Sequence, residues 1–363
     1  MRHLPLLSLL AFAAACSSTG TGFGNEPDAK APTDSGSGGD TGFVPTNDSG
    51  STNFGDASTQ DAPSGADASV STTVYANSDQ TLYSLDPQTN ALKLIGSFSG
   101  TSGTTADGNV TDLAVNANGD LYVNTESVIY KAALPSNPPG TVQLTKIASI
   151  SLQTGQKFYA LAFAPAGSLD TNEVLIGGDG FGELYSIDTG TGATQHLGNF
   201  GPDKFKAGYN WALSGDLVFY TDSSNKPTGL ATVRPCLPSS SSCSTSNDYL
   251  VGVDMTALAT AYKNKTPAAT LLGGIYGGST SSNGPGTTFG RLFGLGAWQG
   301  KVFAFERATS TTSPQLVEIS TSTGQGSVIP SSVSFTSPDQ GWSGAGVTTT
   351  VTVTVPPPPP PPL

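Results

Sequence analysis

At 363 residues and a net charge of −12, the chain repels the phosphate backbone, so a nucleic-acid partner is excluded. Charged residues make up only 12%, while Gly numbers 45 and Pro 26, a composition that suits turn-rich secreted β-structure better than cytosolic helices. The two histidines, His3 and His196, are too few for a histidine metal cluster and weaken any catalytic-triad reading.

Residues 1–15 read as a secretory signal: Arg2, an apolar run from Leu4, then small residues ahead of Cys16. The run is too short to span a bilayer. Ala13-Ala-Ala-Cys16 resembles the bacterial lipobox, although Ala13 stands where Leu is usual. The resemblance implies cleavage before Cys16, a diacylglycerol on its thiol and acylation of the new amino terminus. Such an anchor makes the lipid bilayer a partner and exceeds the two-signal threshold for stable attachment. Ser17 stands where an inner-membrane retention signal would carry Asp, so the resemblance leans to an outer-membrane lipoprotein, on either face. An ordinary signal peptide with an incidental Cys is the plainer alternative.

Residues 16–70 form a Gly-, Ser- and Asp-rich tether. It holds eight acids and the single base Lys30, so more than half of the negative charge sits where no core can form. Its carboxylates are too widely spaced for a calcium loop. A flexible segment of this length spans about 40 Å.

Residues 71–355 change to short strands punctuated by Gly, Asn, Asp and Pro. One motif returns: Leu82-Tyr-Ser-Leu-Asp86, a counterpart at Ile129, Leu184-Tyr-Ser-Ile-Asp188, Leu250-Val-Gly-Val-Asp254 and Leu316-Val-Glu-Ile-Ser320. Each copy follows a small-residue strand ending in a Gly turn and a second strand. Val110-Thr-Asp-Leu-Ala-Val-Asn-Ala-Asn-Gly119 and then Asp120-Leu-Tyr-Val-Asn124 is one case. Gly208-Tyr-Asn-Trp-Ala-Leu-Ser-Gly215 and then Asp216-Leu-Val-Phe-Tyr220 is another. Four strands per unit at a few dozen residues predicts an all-β propeller of five blades, with six or seven as alternatives and a β-sandwich as the competing architecture. The first blade lacks its innermost strand, and Gly341-Trp-Ser-Gly-Ala-Gly-Val-Thr348 is expected to supply it and close the ring. Phe158-Tyr-Ala-Leu-Ala-Phe-Ala-Pro-Ala-Gly167 and Leu184-Tyr-Ser-Ile-Asp-Thr-Gly-Thr-Gly192 resemble secreted bacterial β-propeller repeats of the YVTN and NHL type. That resemblance implies the fold and no particular activity.

Cys236 and Cys243 are expected to form a disulfide outside the cytosol. Trp211, Trp298 and Trp342 fall in or near proposed innermost strands, where they would line a channel mouth or pack between blades. Asp112 also falls on an innermost strand; Arg291, Glu306 and Asp339 lie near strand ends. A carboxylate pair among them would suit Ca²⁺ or glycoside hydrolysis, and solvated acids are the alternative. No other cofactor is implied, and no catalytic residue is assigned. Ile176-Gly-Gly-Asp-Gly-Phe-Gly-Glu183 lacks the ending of a phosphate loop and reads as a turn. Residues 254–263 read as a short helix, residues 348–355 as an alternating strand, and residues 356–363 as a stiff polyproline tail. The functional expectation is an anchored head that binds a protein, peptide or glycan without catalysis. A polysaccharide hydrolase or lyase with paired carboxylates is the rival, and a purely structural envelope protein the third reading.

Overall fold

Alternation of apolar and polar residues between turn formers produces twenty-one strands and one helix among the described residues. The computed structural model describes residues 73–102, 107–150, 156–222, 224–238, 243, 247–278, 289–307, 313–331, 333, 335, 339, 341–350 and 352–353. Cys16, the tether and the polyproline tail lie outside the described residues.

The strands run in antiparallel meanders. The first comprises β1 (Val74–Ser78), β2 (Thr81–Asp86) and β3 (Ala91–Ser99). The second is β4 (Asp112–Val115), β5 (Leu121–Asn124), β6 (Val128–Ala133) and β7 (Gly140–Ser149). The third is β8 (Phe158–Ala164), β9 (Val174–Asp179), β10 (Glu183–Ile187) and β11 (Thr194–Asn199). The fourth is β12 (Asn210–Asp222), β13 (Pro227–Cys236), β14 (Tyr249–Val253) and β15 (Leu272–Gly278), with α1 (Met255–Asn264) between its last two strands. The fifth is β16 (Leu292–Trp298), β17 (Lys301–Glu306), β18 (Gln315–Ile319) and β19 (Gly326–Ile329). Finally β20 (Trp342–Gly346) pairs antiparallel with β1 and completes the first blade. The innermost strands β20, β4, β8, β12 and β16 touch in that order, and β16 returns to β20. The molecule is a five-bladed, all-β propeller closed by its C-terminal strand, as the repeat pattern predicts.

The recurring motif is the third strand of every blade. Its first leucine or isoleucine is buried in each, at Leu82, Ile129, Leu184, Leu250 and Leu316. The aspartates that end it build turns. Asp86 Oδ1 accepts from the Gln88 N–H and Asp188 Oδ1 from those of Gly190 and Thr191, while Asp254 caps α1 through the N–H groups of Thr256 and Ala257. Residues 180–182 are a turn between β9 and β10, with Asp179 accepting from the Phe181 and Glu183 amides.

The innermost strands are rich in small residues because they crowd the axis. A Cβ on Gly344 would stand 2.1 Å from Asp112 Oδ1. Three blade junctions are stapled by a side chain on a second strand that donates to the start of the next innermost strand. Asn77 Nδ2 reaches the Val110 carbonyl at 3.4 Å, Asn124 Nδ2 that of Phe158 at 3.2 Å, and Thr232 Oγ1 that of Leu292 at 3.0 Å. At the other two junctions apolar side chains meet as well. Leu213 fills the space beside Gly178, and Phe305 meets Trp342 edge-on at 5.1 Å.

Three details differ from the sequence reading. Gly215-Asp216 is no turn: β12 runs through both, with a register shift between Leu213 and Leu217, and its antiparallel partner is β13. The polar residue that signalled a turn serves instead as a tie between blades, described below. Blades one and two are not separate sheets either. Residues 96–99 of β3 pair in parallel with 140–143 of β7, giving one eight-stranded sheet. Backbone approach there is close enough that a Cβ on Gly96 would stand 1.9 Å from the Gly140 carbonyl oxygen. In the segment 348–355, Thr349 and Thr350 form a turn, and β21 (Thr352–Val353) pairs in parallel with Thr221 and Asp222 of β12. No helix among the described residues is long and apolar enough to cross a membrane.

Candidate binding site at one mouth of the ring

All five blades feed one cavity of about 560 Å³. It opens on the face where innermost strands begin and second strands end. Blade one supplies Asp79 and Ser343, blade two Thr111 and Glu126, and blade three Lys157, Tyr159 and Phe181. Blade four supplies Ser214, Gly215, Arg234 and the Cys236–Cys243 disulfide, and blade five Phe293 and Arg307. The long β12–β13 ladder makes the wall that carries the disulfide. That bond closes a seven-residue separation and stabilises this wall by about 2–3 kcal/mol on the chain-entropy model. Tyr159 and Phe181 stay 37% and 52% exposed, so two aromatic rings face solvent at the rim.

The charges of the mouth are unequally satisfied. Arg307 grips Asp79 with two parallel bonds of 2.7 Å, and Ser343 Oγ accepts from the same guanidinium. Lys157 pairs with Glu126 at 2.9 Å. Arg234 Nε is buried and has no partner among the described residues, nor has Asp248 Oδ1. Asp248 Oδ2 accepts from Ser214 Oγ and from the Leu292 N–H at 2.8 Å. Burial nonetheless holds the Asp248 carboxyl above the ordinary range, and it pushes neighbouring Glu306 up to about 7. Arg291 lies beside these groups with a left-handed backbone (φ 62°), and its guanidinium sits 5.4 Å from the Phe293 ring centre. Its pKa is depressed by burial first, then by the positive charges of Arg307 and Arg234.

Beyond the mouth, Asp112 of β4 and Asp216 of β12 meet on the axis, both fully buried and hydrogen-bonded to each other. Asp112 accepts from the amides of Leu113 (2.8 Å), Ala345 (3.1 Å) and Leu161 (2.6 Å), and Asp216 from those of Leu217 and Leu295, each at 2.6 Å. The pair thus ties together all five innermost strands. Burial, then the charge of its partner, pushes Asp112 well above the carboxylate range; burial pushes Asp216 to about 8. Two carboxyls in direct hydrogen bond share a proton and leave no room for the intervening sugar that glycoside hydrolysis requires. A carboxyl pair does lie on the axis, with Asp216 rather than Glu306 or Asp339 as the partner of Asp112, and it is a tie between strands. Among the described residues no group of three or more His, Cys, Asp or Glu is placed to hold a metal.

The tryptophans pack between blades. Trp211 and Trp342 are 1% exposed and Trp298 is 6% exposed, and none lines the cavity. Trp211 packs on Tyr249 and Phe205, and Trp342 on Tyr83, Phe305 and Phe335. Asp339 fastens the β1–β2 turn through Ser78 Oγ at 2.8 Å and the Gln80 amide at 3.1 Å. Arg291 is the selected residue that borders the mouth. The sequence reading missed Arg234, Arg307, Tyr159 and Phe181, and it missed Asp216 as the partner of Asp112. A signal for the arginines was present, since the chain has four and only Arg2 lies outside the head.

No protein-family model matches the chain, and no curated protein matches it. Solved structures do resemble it. A protein of unknown function from Bacteroides thetaiotaomicron is 12% identical with a TM-score of 0.40, covering 77% of this chain and 60% of that one. Another of unknown function from Bacteroides caccae is 9% identical with a TM-score of 0.37, covering 76% and 97%. The Dos1 propeller is 12% identical with a TM-score of 0.33, covering 68% and 54%. Similarity at this level says nothing about chemistry.

Proposed function

We propose that this is a lipid-anchored protein of a bacterial envelope whose propeller head is a non-catalytic binding module. Residues 1–70 supply the anchor at Cys16 and a tether long enough to hold the head away from the lipid surface. The observation that carries the binding reading is the 560 Å³ cavity to which every blade contributes. Such a concave site, mostly preformed and edged by aromatic rings and a few convergent polar groups, is the ordinary form of a ligand pocket. The occupant this lining suits best is a glycan. Tyr159 and Phe181 offer ring faces to a sugar, while Asn109, Glu126 and Lys157 offer hydrogen-bonding groups to hydroxyls. The lining consists of turns and strand starts rather than a free strand edge, so an extended peptide finds no ladder to join.

The test is a glycan and peptide array screened with the full chain. The Tyr159→Ala/Phe181→Ala double variant should lose the glycan signal while keeping the wild-type unfolding midpoint. Signals unchanged in that variant would place binding elsewhere. The anchor has its own measurement: Cys16→Ala should move the protein from the membrane fraction to the soluble fraction, and a variant that stays with membranes would overturn lipidation.

A further inference from the structure

The head contains three arginines: Arg234 and Arg307 line this cavity, and Arg291 lies close enough for the charges of both to act on it. They lie on two different blades, so chain proximity does not explain the gathering. Like charges brought together cost free energy unless something of opposite sign is present. Asp79 satisfies Arg307. The other nearby acids, Asp248 and Glu306, are buried, and Asp248 Oδ2 already accepts from Ser214 Oγ and the Leu292 amide. Arg234 is left with a buried Nε that has no partner, on the wall of a cavity, in a chain whose net charge is −12. A guanidinium is the side chain best shaped for a planar oxyanion.

We infer that the glycan bound here carries a carboxylate, as a hexuronate does, and that Arg234 is the residue that receives it. Tyr159 and Phe181 contact the sugar rings, and the Arg307–Asp79 pair remains part of the wall. This inference rests on the mouth being the binding surface.

Calorimetric titration of the full chain with trigalacturonate and with its fully methyl-esterified form separates the two ideas. The acid should bind at least about tenfold more tightly than the ester, since a desolvated charge pair is lost with the ester. Arg234→Gln should remove that advantage, so that acid and ester bind with equal affinity. Arg234→Lys should recover only part of it, because an ammonium cannot make the forked contact. Unfolding midpoints confirm that each variant is folded. Equal affinity for acid and ester, unchanged affinity in Arg234→Gln, or no binding of the acid at millimolar concentration overturns the carboxylate assignment. If in the first two cases binding is still lost in Tyr159→Ala/Phe181→Ala, the mouth remains a binding surface and only the ligand class falls. A tripeptide with a free C-terminus that binds more tightly than the trisaccharide overturns the glycan assignment.

Discussion

The axis and the mouth both bury acidic side chains, and they differ in how completely those side chains are used. On the axis, each carboxylate oxygen of Asp112 and Asp216 accepts from a backbone amide, and the two groups also bond to each other. At the mouth, Arg234 Nε and Asp248 Oδ1 are buried without partners. A buried polar group left unmatched costs about 1–3 kcal/mol, so a fold retains one where something else supplies the match. The axis is complete within the chain and therefore structural. At the mouth these two atoms find no match among the described residues, and this is the feature that the proposed binding function would use.

The sharpest way to break this contrast is to remove an axial carboxyl. Asp112→Ala strips three amides, those of Leu113, Leu161 and Ala345, of their acceptor. At about 1–3 kcal/mol per orphaned group, the loss should be on the order of 5 kcal/mol, read by urea denaturation. Asp112→Asn keeps one oxygen and should lose less than half as much. If Asp112→Ala is as stable as wild type, the pair does not tie the ring together.

The same pair sets a pH dependence. Asp216 titrates near 8 in the folded state and Asp112 is also raised, against about 3.9 for an unfolded aspartate. Between those values the unfolded chain has released protons that the folded chain retains. Stability should therefore be greatest at about pH 4 and fall as the pH rises towards about 8. Glu306, raised to about 7, adds to the same slope. Urea midpoints from pH 4 to 9 measure it, and an Asp112→Asn/Asp216→Asn variant should flatten it. A flat wild-type profile would mean that the carboxyls ionise freely.

At the mouth the largest structural change available is removal of the disulfide. Cys236→Ser/Cys243→Ser should lower stability by about 2–3 kcal/mol and leave the axial pH slope untouched, since the bond lies in the wall of the cavity. A change in that slope would show that wall and axis are coupled.

Much of the scaffold is legible in the sequence because a repeat states the same physical requirement five times. The third-strand motif, the C-terminal closing strand and the turn aspartates are all set by local patterns. What was misread is non-local. Gly215-Asp216 has the composition of a turn, and only the arrival of Asp112 from another blade makes it a buried tie. The tryptophans admit two readings from sequence, channel mouth or packing between blades, because the strand they occupy does not show how deep along it they lie; their burial fits the packing reading. The arginines of the mouth were visible as residues, but their convergence belongs to the closed ring, which no local window contains.

The smallest expected effect comes from an aspartate of the other kind. Asp188 is exposed and accepts from Gly190, Thr191 and the Thr191 hydroxyl within its own turn. Those donors pull its pKa down, opposite in direction to the axial pair. Its contribution is thus present above the unfolded pKa and is lost as the pH falls through the folded value. Asp188→Ala should shift the urea midpoint only slightly at neutral pH, with the difference from wild type shrinking as the pH falls below the unfolded value of about 3.9. The axial variants change the profile between about pH 4 and 8 instead. The two kinds of aspartate are then separable by the pH range in which each mutation acts. If Asp188→Ala altered the slope above pH 5, the turn and the axis would be linked, and the division between local turn formers and non-local ties would fail.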